Sequence, residues 1–195
     1  QTDAEGNTRA FSIASAPHEG SLLVATRLRN TAFKRVLATL PLGARVKLEG
    51  PFGNLVLHRN PARPAVFLAG GIGITPFRSM LRRTAKEELP HRIFLFYSNR
   101  RPEDAPFLNE LGALQREIPH YTFVPTMTAI ETSHRRWRGE TGWIDRDMLC
   151  RYVGDLTAPI YYIAGPPAMV QSMQARLTEA GIHEQAIRTE AFAGY

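Results

Sequence analysis

Cysteine is almost absent: Cys150 is the single one in 195 residues. That excludes an internal disulfide framework, a Cys-x-x-Cys zinc site and an iron–sulfur cluster held by four thiolates of this chain. Cys150 falls in a helix-like segment and reads as packing, and the shortage of cysteine suits a reducing, cytoplasmic compartment. No uncharged apolar run approaches the roughly 18 residues of a membrane span, and no secretory pattern opens the chain. The first residue is Gln1 rather than Met, which suggests a processed product or a piece of something longer. Acidic residues are outnumbered, 18 against 24 Lys and Arg, leaving a net charge of +6 and a pI near 9.9. A nucleic acid, an acidic protein or an anionic cofactor would each suit that charge. The basic residues are scattered, however, and no DNA-reading module accompanies them, so nucleic acid is disfavoured. No acid–base triad is visible.

What is present is the stretch Val66-Phe67-Leu68-Ala69-Gly70-Gly71-Ile72-Gly73-Ile74-Thr75-Pro76-Phe77. Its uncharged apolar run reads as a buried parallel strand, its glycines as a tight turn, and Thr75-Pro76 as an N-cap followed by proline at the first helical position. Without Cβ atoms at Gly70, Gly71 and Gly73 the backbone can approach a pyrophosphate, with the N–H groups of the next helix aimed at it. The spacing Gly71-x-Gly73-x-x-Pro76 departs from the dinucleotide fingerprint, which has glycine at the third place. A tight turn without a ligand is the alternative.

Residues 1 to about 58 read as β-rich. Residues 8–14, 22–28, 45–50 and 54–57 alternate or carry β-branched residues, with turn clusters between them. Phe33, Val36, Leu37 and Leu40 fall at helical spacing, which predicts a short helix capped by Asn30 or Thr31. With Lys34 beside it, that helix start either holds a phosphate or merely connects. Residues 58–64 carry prolines without periodicity and mark a hinge. From there to 195, strands at 93–97, 121–126 and 160–164 alternate with helices. One helix has the face Phe77, Met80, Leu81 and Thr84; another starts at Asp145; a last long one ends at Gly181. That alternation predicts a doubly wound parallel sheet with ligands at its strand C-termini. Ser98 and Arg100 follow the second strand, where the adenosine ribose is read, and favour the 2′-phosphate of NADP over NAD. Thr126 and Thr128 either touch the nicotinamide ribose or cap a turn. Residues 129–142, with Arg135, Arg136, Trp137 and Arg138, read as an exposed excursion.

Four pieces in order resemble the ferredoxin–NADP reductase superfamily. Arg9-Ala10-Phe11-Ser12-Ile13-Ala14-Ser15 resembles its Arg-x-Tyr/Phe-Ser/Thr flavin motif and Gly50-Pro51-Phe52-Gly53 its Gly-Pro-x-Gly element. Gly70 to Pro76 is similar to its pyridine-nucleotide loop, and Gly165-Pro166-Pro167-Ala168-Met169 to its Gly-Pro-Pro-x-Met motif. The resemblance implies an antiparallel Greek-key flavin barrel, present here as its C-terminal portion (1–60), followed by a nucleotide-binding α/β domain (61–195). About three further strands precede the flavin motif in that family, so upstream sequence is expected, with a ferredoxin-like or membrane module as possible additions. It implies FAD held by Arg9, Phe11, Ser12, Ile13, Ser15, Thr31 and Lys34. It implies NADP or NAD held by Gly70, Gly71, Gly73, Thr75, Pro76, Ser98, Arg100, Gly165, Pro166 and Met169. The resemblance implies that Ser12 hydrogen-bonds near the flavin N5, and Glu190 and Phe192 match the family's closing strand, although Tyr195 is an alternative shield for the ring. Many relatives carry cysteine where this chain has Ala164, which predicts altered affinity or rate. The implied activity is hydride transfer from NAD(P)H to FAD and onward electron transfer to an acidic carrier such as ferredoxin or flavodoxin. The alternatives are a reductase component of an oxygenase or haem system, or a non-catalytic NAD(P)-sensing module.

Overall fold

The computed structural model describes residues 6–192 of the chain; Tyr195, named above as a possible ring shield, lies outside them. The C-terminal lobe is a six-stranded, all-parallel sheet. Its strands are β1 (Ala65–Gly70), β2 (Ile93–Asn99), β3 (Tyr121–Met127), β4 (Glu140–Thr141), β5 (Ile160–Gly165) and β6 (Ile187–Ala191), in the order β4-β3-β2-β1-β5-β6. β1 is central because all six of its residues are buried, as an uncharged apolar strand requires when both sheet faces are covered. Helices α2 (Thr75–Lys86) and α3 (Leu108–Ala113) cover one face over Phe67, Phe77, Leu81, Leu95, Tyr97 and Tyr162. There the Phe67 and Phe77 rings stack at 4.6 Å, and Tyr162 meets Phe67 edge-on at 5.2 Å. Helices α4 (Arg146–Val153) and α5 (Pro167–Glu179) cover the other face over Leu68, Phe96, Tyr161 and Ile163. Asp145 caps α4 as expected, accepting from the Met148 N–H at 2.8 Å. No helix among the described residues is long and apolar enough to cross a membrane.

Three local expectations are corrected. Thr75 is not the cap of α2, because the 3-10 turn Gly71–Ile74 already brings the chain into helical geometry and Ile74 takes the cap position. The Thr75 hydroxyl instead donates back to the Ile72 carbonyl at 3.1 Å. Cys150 does not pack: it is exposed on α4, on the side away from buried Met148 and Leu149. The expected strands of the N-terminal lobe form no ladder. Residues 8–14 and 22–28 meet at one antiparallel bridge, Ile13 with Val24, while 45–50 and 54–57 pair with nothing among the described residues. An alternating pattern supplies a strand's two faces but not its neighbour, and a strand needs both. The lobe is thus an open, partial barrel that leaves Leu42, Phe52 and Leu48 exposed, while Leu55 and Leu57 pack against the core under α2. Helix α1 (Ala32–Thr39) of this lobe is capped by Thr31, whose hydroxyl accepts from the Lys34 N–H.

Where the chain enters the sheet, buried His58 is fully committed. Its Nε2 lies 2.9 Å from the Arg63 carbonyl and must carry the proton, so Nδ1 accepts from the Tyr162 hydroxyl at 2.9 Å. The Tyr162 oxygen in turn accepts from the His58 N–H and from Arg188 Nη1. Burial pushes the His58 pKa below its ordinary 6.5, with His91 and Arg188 adding to the effect against the Arg63 carbonyl. The unfolded chain takes up a proton near pH 6.5 that the native imidazole refuses. His58 therefore contributes stability that is complete above pH 6.5 and is lost as pH falls toward the native pKa. Urea melts between pH 7.5 and 5 should show a slope of up to about 1.4 kcal/mol per pH unit that a His58→Gln variant lacks.

Candidate functional site

From β1 the chain winds outward through β2 and β3 to β4, then crosses back to β5 and β6 on the other side of β1. In an open parallel sheet, ligands lie in the crevice outside the strand C-termini at such a reversal. Its edges here are Gly70 and Gly71 at the end of β1 and Gly165 and Pro166 at the end of β5.

The glycines divide by role. A Cβ on Gly73 would stand 2.1 Å from the Ala164 carbonyl oxygen and 2.6 Å from the Gly165 nitrogen. One on Gly70 would stand 2.3 Å from the Met169 sulfur and 3.1 Å from Pro166 Cδ. Gly73 is required because its turn abuts the backbone at the end of β5, whereas at Gly70 the neighbours are the Met169 and Pro166 side chains. Gly71 differs: its φ is +54°, and the nearest atom to a Cβ there is Arg27 Nη2 at 3.8 Å. Thr75 and Pro76 are buried and shape the helix start, and the Met169 thioether lies over Gly70.

Across the crevice, the Ser12 hydroxyl donates to Glu190 Oε1 at 2.5 Å, joining residues 178 apart. Glu190 pairs in register with Ala164, and Ala164 with Ala69, so Ser12 is fastened one residue short of the level of Gly165 and Gly70. Phe192 continues that edge, its N–H donating to the Gly165 carbonyl at 3.0 Å. Of the residues named from sequence, the structure thus brings Ser12 and Glu190 into contact and sets the Phe192 backbone beside Gly165. Ser15 is turned elsewhere: it is buried, and its hydroxyl accepts from the Leu23 N–H at 2.9 Å. Ile13 forms the bridge to Val24.

On the flavin-motif side, the Arg9 guanidinium lies 5.0 Å above the Phe33 ring, which Phe11 meets at 6.1 Å. Lys34, in the first turn of α1, donates to the Arg27 carbonyl at 2.7 Å. Burial lowers its pKa, and the charges of Arg29 and Arg9 lower it further. Three cations crowded round a helix start repel one another and are relieved by an anion, so the residues present fit a diphosphate.

At the far end of the crevice, half-buried Ser98 is the next-to-last residue of β2 and Arg100 is exposed just beyond it. Arg101 is held by Asp104 through bonds of 2.7 and 3.0 Å, whereas Arg100 forms no ion pair among the described residues. Thr126 and Thr128 serve the turns, donating to the Gly142 and Asn99 carbonyls. A cavity of about 320 Å³ beside Gly71 is lined by Arg27, Ile72 and residues 103–106. Arg27 reaches it from the opposite lobe, and its charge helps hold the Asp104 pKa down, after Arg101. Sequence reading missed Arg27 as a site residue; it stood only as one of several scattered cations, and its place depends on how the lobes meet.

A family model described as the oxidoreductase NAD-binding domain matches residues 67–175. The chain is 30% identical over 194 residues to ferredoxin–NADP reductase B of Sorangium cellulosum, covering 94% of this chain and 78% of that protein. It is 27% identical over 191 residues to terephthalate 1,2-dioxygenase reductase component 2 of a Comamonas species, covering 97% and 56%. Among solved structures, a Malassezia yamatoensis flavohemoglobin with bound FAD and heme superposes with a TM-score of 0.80 at 21% identity, covering 94% and 46%. A Neisseria gonorrhoeae ferredoxin NADP+ reductase with bound FAD and NADP gives 0.70 at 22%, covering 94% and 79%. The chain spans about half the length of several curated relatives that it matches. With the domain model covering more than half of its residues and a reductase matched along most of that protein's length, the chain belongs to the ferredoxin–NADP reductase superfamily.

Proposed function

We propose that this chain belongs to an FAD-dependent oxidoreductase that moves hydride from NAD(P)H to flavin and then electrons to an acceptor. The observation that carries the reading is the Ser12–Glu190 bond, which lays the Arg9 to Ser12 segment against the mouth between β1 and β5. The Neisseria gonorrhoeae relative, solved with FAD and NADP, supports the same pair of cofactors. When bound, the flavin supplies the hydride-accepting ring, and the protein's task is to bring two rings face to face. Arg9, Lys34 and the Thr31-capped start of α1 hold the flavin diphosphate, and Phe11 offers its face to the flavin. Ser12 and Glu190 hold a shared proton at the mouth. Gly71, with Gly165 and Pro166, receives the nicotinamide nucleotide. In this reading residues 1–60 serve the flavin and 61–195 the nucleotide.

The test is colour. The FAD-loaded protein should show a flavin absorbance band that NADPH bleaches without oxygen; a colourless protein that still binds nucleotide would leave only a sensing module. Arg100 is the cation left for a 2′-phosphate, with Ser98 beside it. Arg100→Ala should raise the KM for NADPH about tenfold, the worth of one exposed charge-assisted contact, and leave that for NADH unchanged.

The net charge of +6 favours an acidic acceptor such as ferredoxin or flavodoxin, whose reduction should slow steeply with added salt. The Comamonas relative, named as an oxygenase reductase component, favours a second reading in which the acceptor is an oxygenase system. Turnover with each purified acceptor separates the two.

A further inference from the structure

Behind the crevice lies a charged cluster that the proposed function leaves unused. Arg78, one turn into α2 and 7% exposed, points away from the cleft toward the flavin-side segment. Its Nη1 donates to the Ala14 carbonyl at 2.7 Å and to Glu19 Oε2 at 2.9 Å. Its Nη2 reaches Glu19 Oε1 at 3.0 Å and Glu110 Oε1 at 2.7 Å, and its Nε donates to Glu110 Oε2 at 3.0 Å. Every N–H of the guanidinium is taken. The Phe107 ring, 5.1 Å from the guanidinium carbon, covers one face. Beside it the Ser79 hydroxyl donates to the Ser15 carbonyl at 2.8 Å, and Glu19 also accepts from the Ala16 N–H.

The segment from Ser12 to Glu19 is therefore fastened at both ends. Glu190 holds Ser12 at one end, and α2 holds Ala14, Ser15 and Glu19 at the other. The turn Gly71–Ile74 runs straight into α2, so Arg78 links the turn that would receive the nicotinamide nucleotide to the backbone carrying Phe11 and Ser12.

We propose that Arg78 is a positioning residue that sets the gap between the Arg9 to Ser12 segment and the Gly71 turn, so that the two lobes act as one rigid pair. The inference rests on the flavin–nicotinamide reading above. A displacement of about 1 Å between reacting groups costs on the order of a hundredfold in rate. Lysine would keep the charge but not the fork that grips two carboxylates and a carbonyl together.

The experiment uses the full-length protein, with Arg78→Lys and Glu19→Gln as variants. Loaded with FAD, both should keep the wild-type flavin content, midpoint potential and dissociation constant for NADPH. The limiting rate of flavin reduction in stopped flow should fall about ten- to hundredfold. Without flavin or nucleotide, amide exchange at Ala14 and Ala16 should speed about tenfold or more while β1 is unaffected. Wild-type exchange in both variants overturns the proposal. So does faster exchange with an unchanged limiting rate, which would make Arg78 a stabiliser alone. If Arg78→Lys does not fold, Glu19→Gln carries both measurements. Wild-type protein that takes up no flavin, or is not bleached by NADPH, marks failure of the parent reading and removes this proposal with it.

Discussion

Replacing Gly73 by alanine is expected to destabilise the protein by about 3 kcal/mol or more and to lower Tm by about 6–12 °C, the scale of severe overpacking in a chain of this size. The added methyl would meet the Ala164 carbonyl oxygen at 2.1 Å and its carbon at 2.4 Å. These atoms are backbone at the end of β5, and no rotamer change moves them. Relief requires β1 and β5 to part where they pair, Ala69 with Ala164. Gly71→Ala is the matching control. It meets only an Arg27 side chain at 3.8 Å, so its cost is that of a positive φ, about 1–2 kcal/mol. Denaturant melts of the two variants measure the difference. Equal stabilities would mean that the interlocked turns give way more easily than their geometry implies.

The same pair of glycines marks how far the sequence could be read. The glycine run was recognisable as a turn after a buried strand, because an uncharged stretch bounded by glycines is a local pattern. Which glycine faces a ligand and which faces another backbone is not local: Gly73 meets Ala164, some ninety residues on. Caps were legible at Thr31 and Asp145 for the same reason that they work, since each acts on a residue three positions away. The segments 45–50 and 54–57 show the converse, as alternation names two faces of a strand but not its partner. Ser12 and Glu190 were brought to one site through the family resemblance, and nothing in their separate surroundings would have joined them. Arg78 escaped notice because a cation on a helix reads as solvated. Only the meeting of Glu19, Glu110 and the Ala14 carbonyl shows that it is buried with every donor used.

Ser12→Ala is expected to slow flavin reduction by NADPH about ten- to hundredfold. The hydroxyl lies 2.5 Å from Glu190 Oε1, the range of a charge-assisted O–H···O bond, and such bonds contribute about 1.5–3 kcal/mol. If that energy is realised at the reacting centre it converts to the stated rate loss. Glu190→Gln separates charge from geometry. Its amide oxygen still accepts from Ser12, so the register between the segment and β6 survives and only the charge is lost, which predicts a smaller decrease. Because the two groups act through one bond, the double variant should be no slower than Ser12→Ala alone, a coupling energy of about 1–2 kcal/mol in the cycle. Additive losses would mean that each residue reaches the flavin by itself, and that the bond between them only joins the lobes. Since Ser12 is held at one end of its segment by Glu190 and near the other by Arg78, a clean separation requires all three rates under one set of conditions. Ser12→Ala removes a group at the mouth, whereas Arg78→Lys moves the mouth. Only the second should speed amide exchange at Ala14.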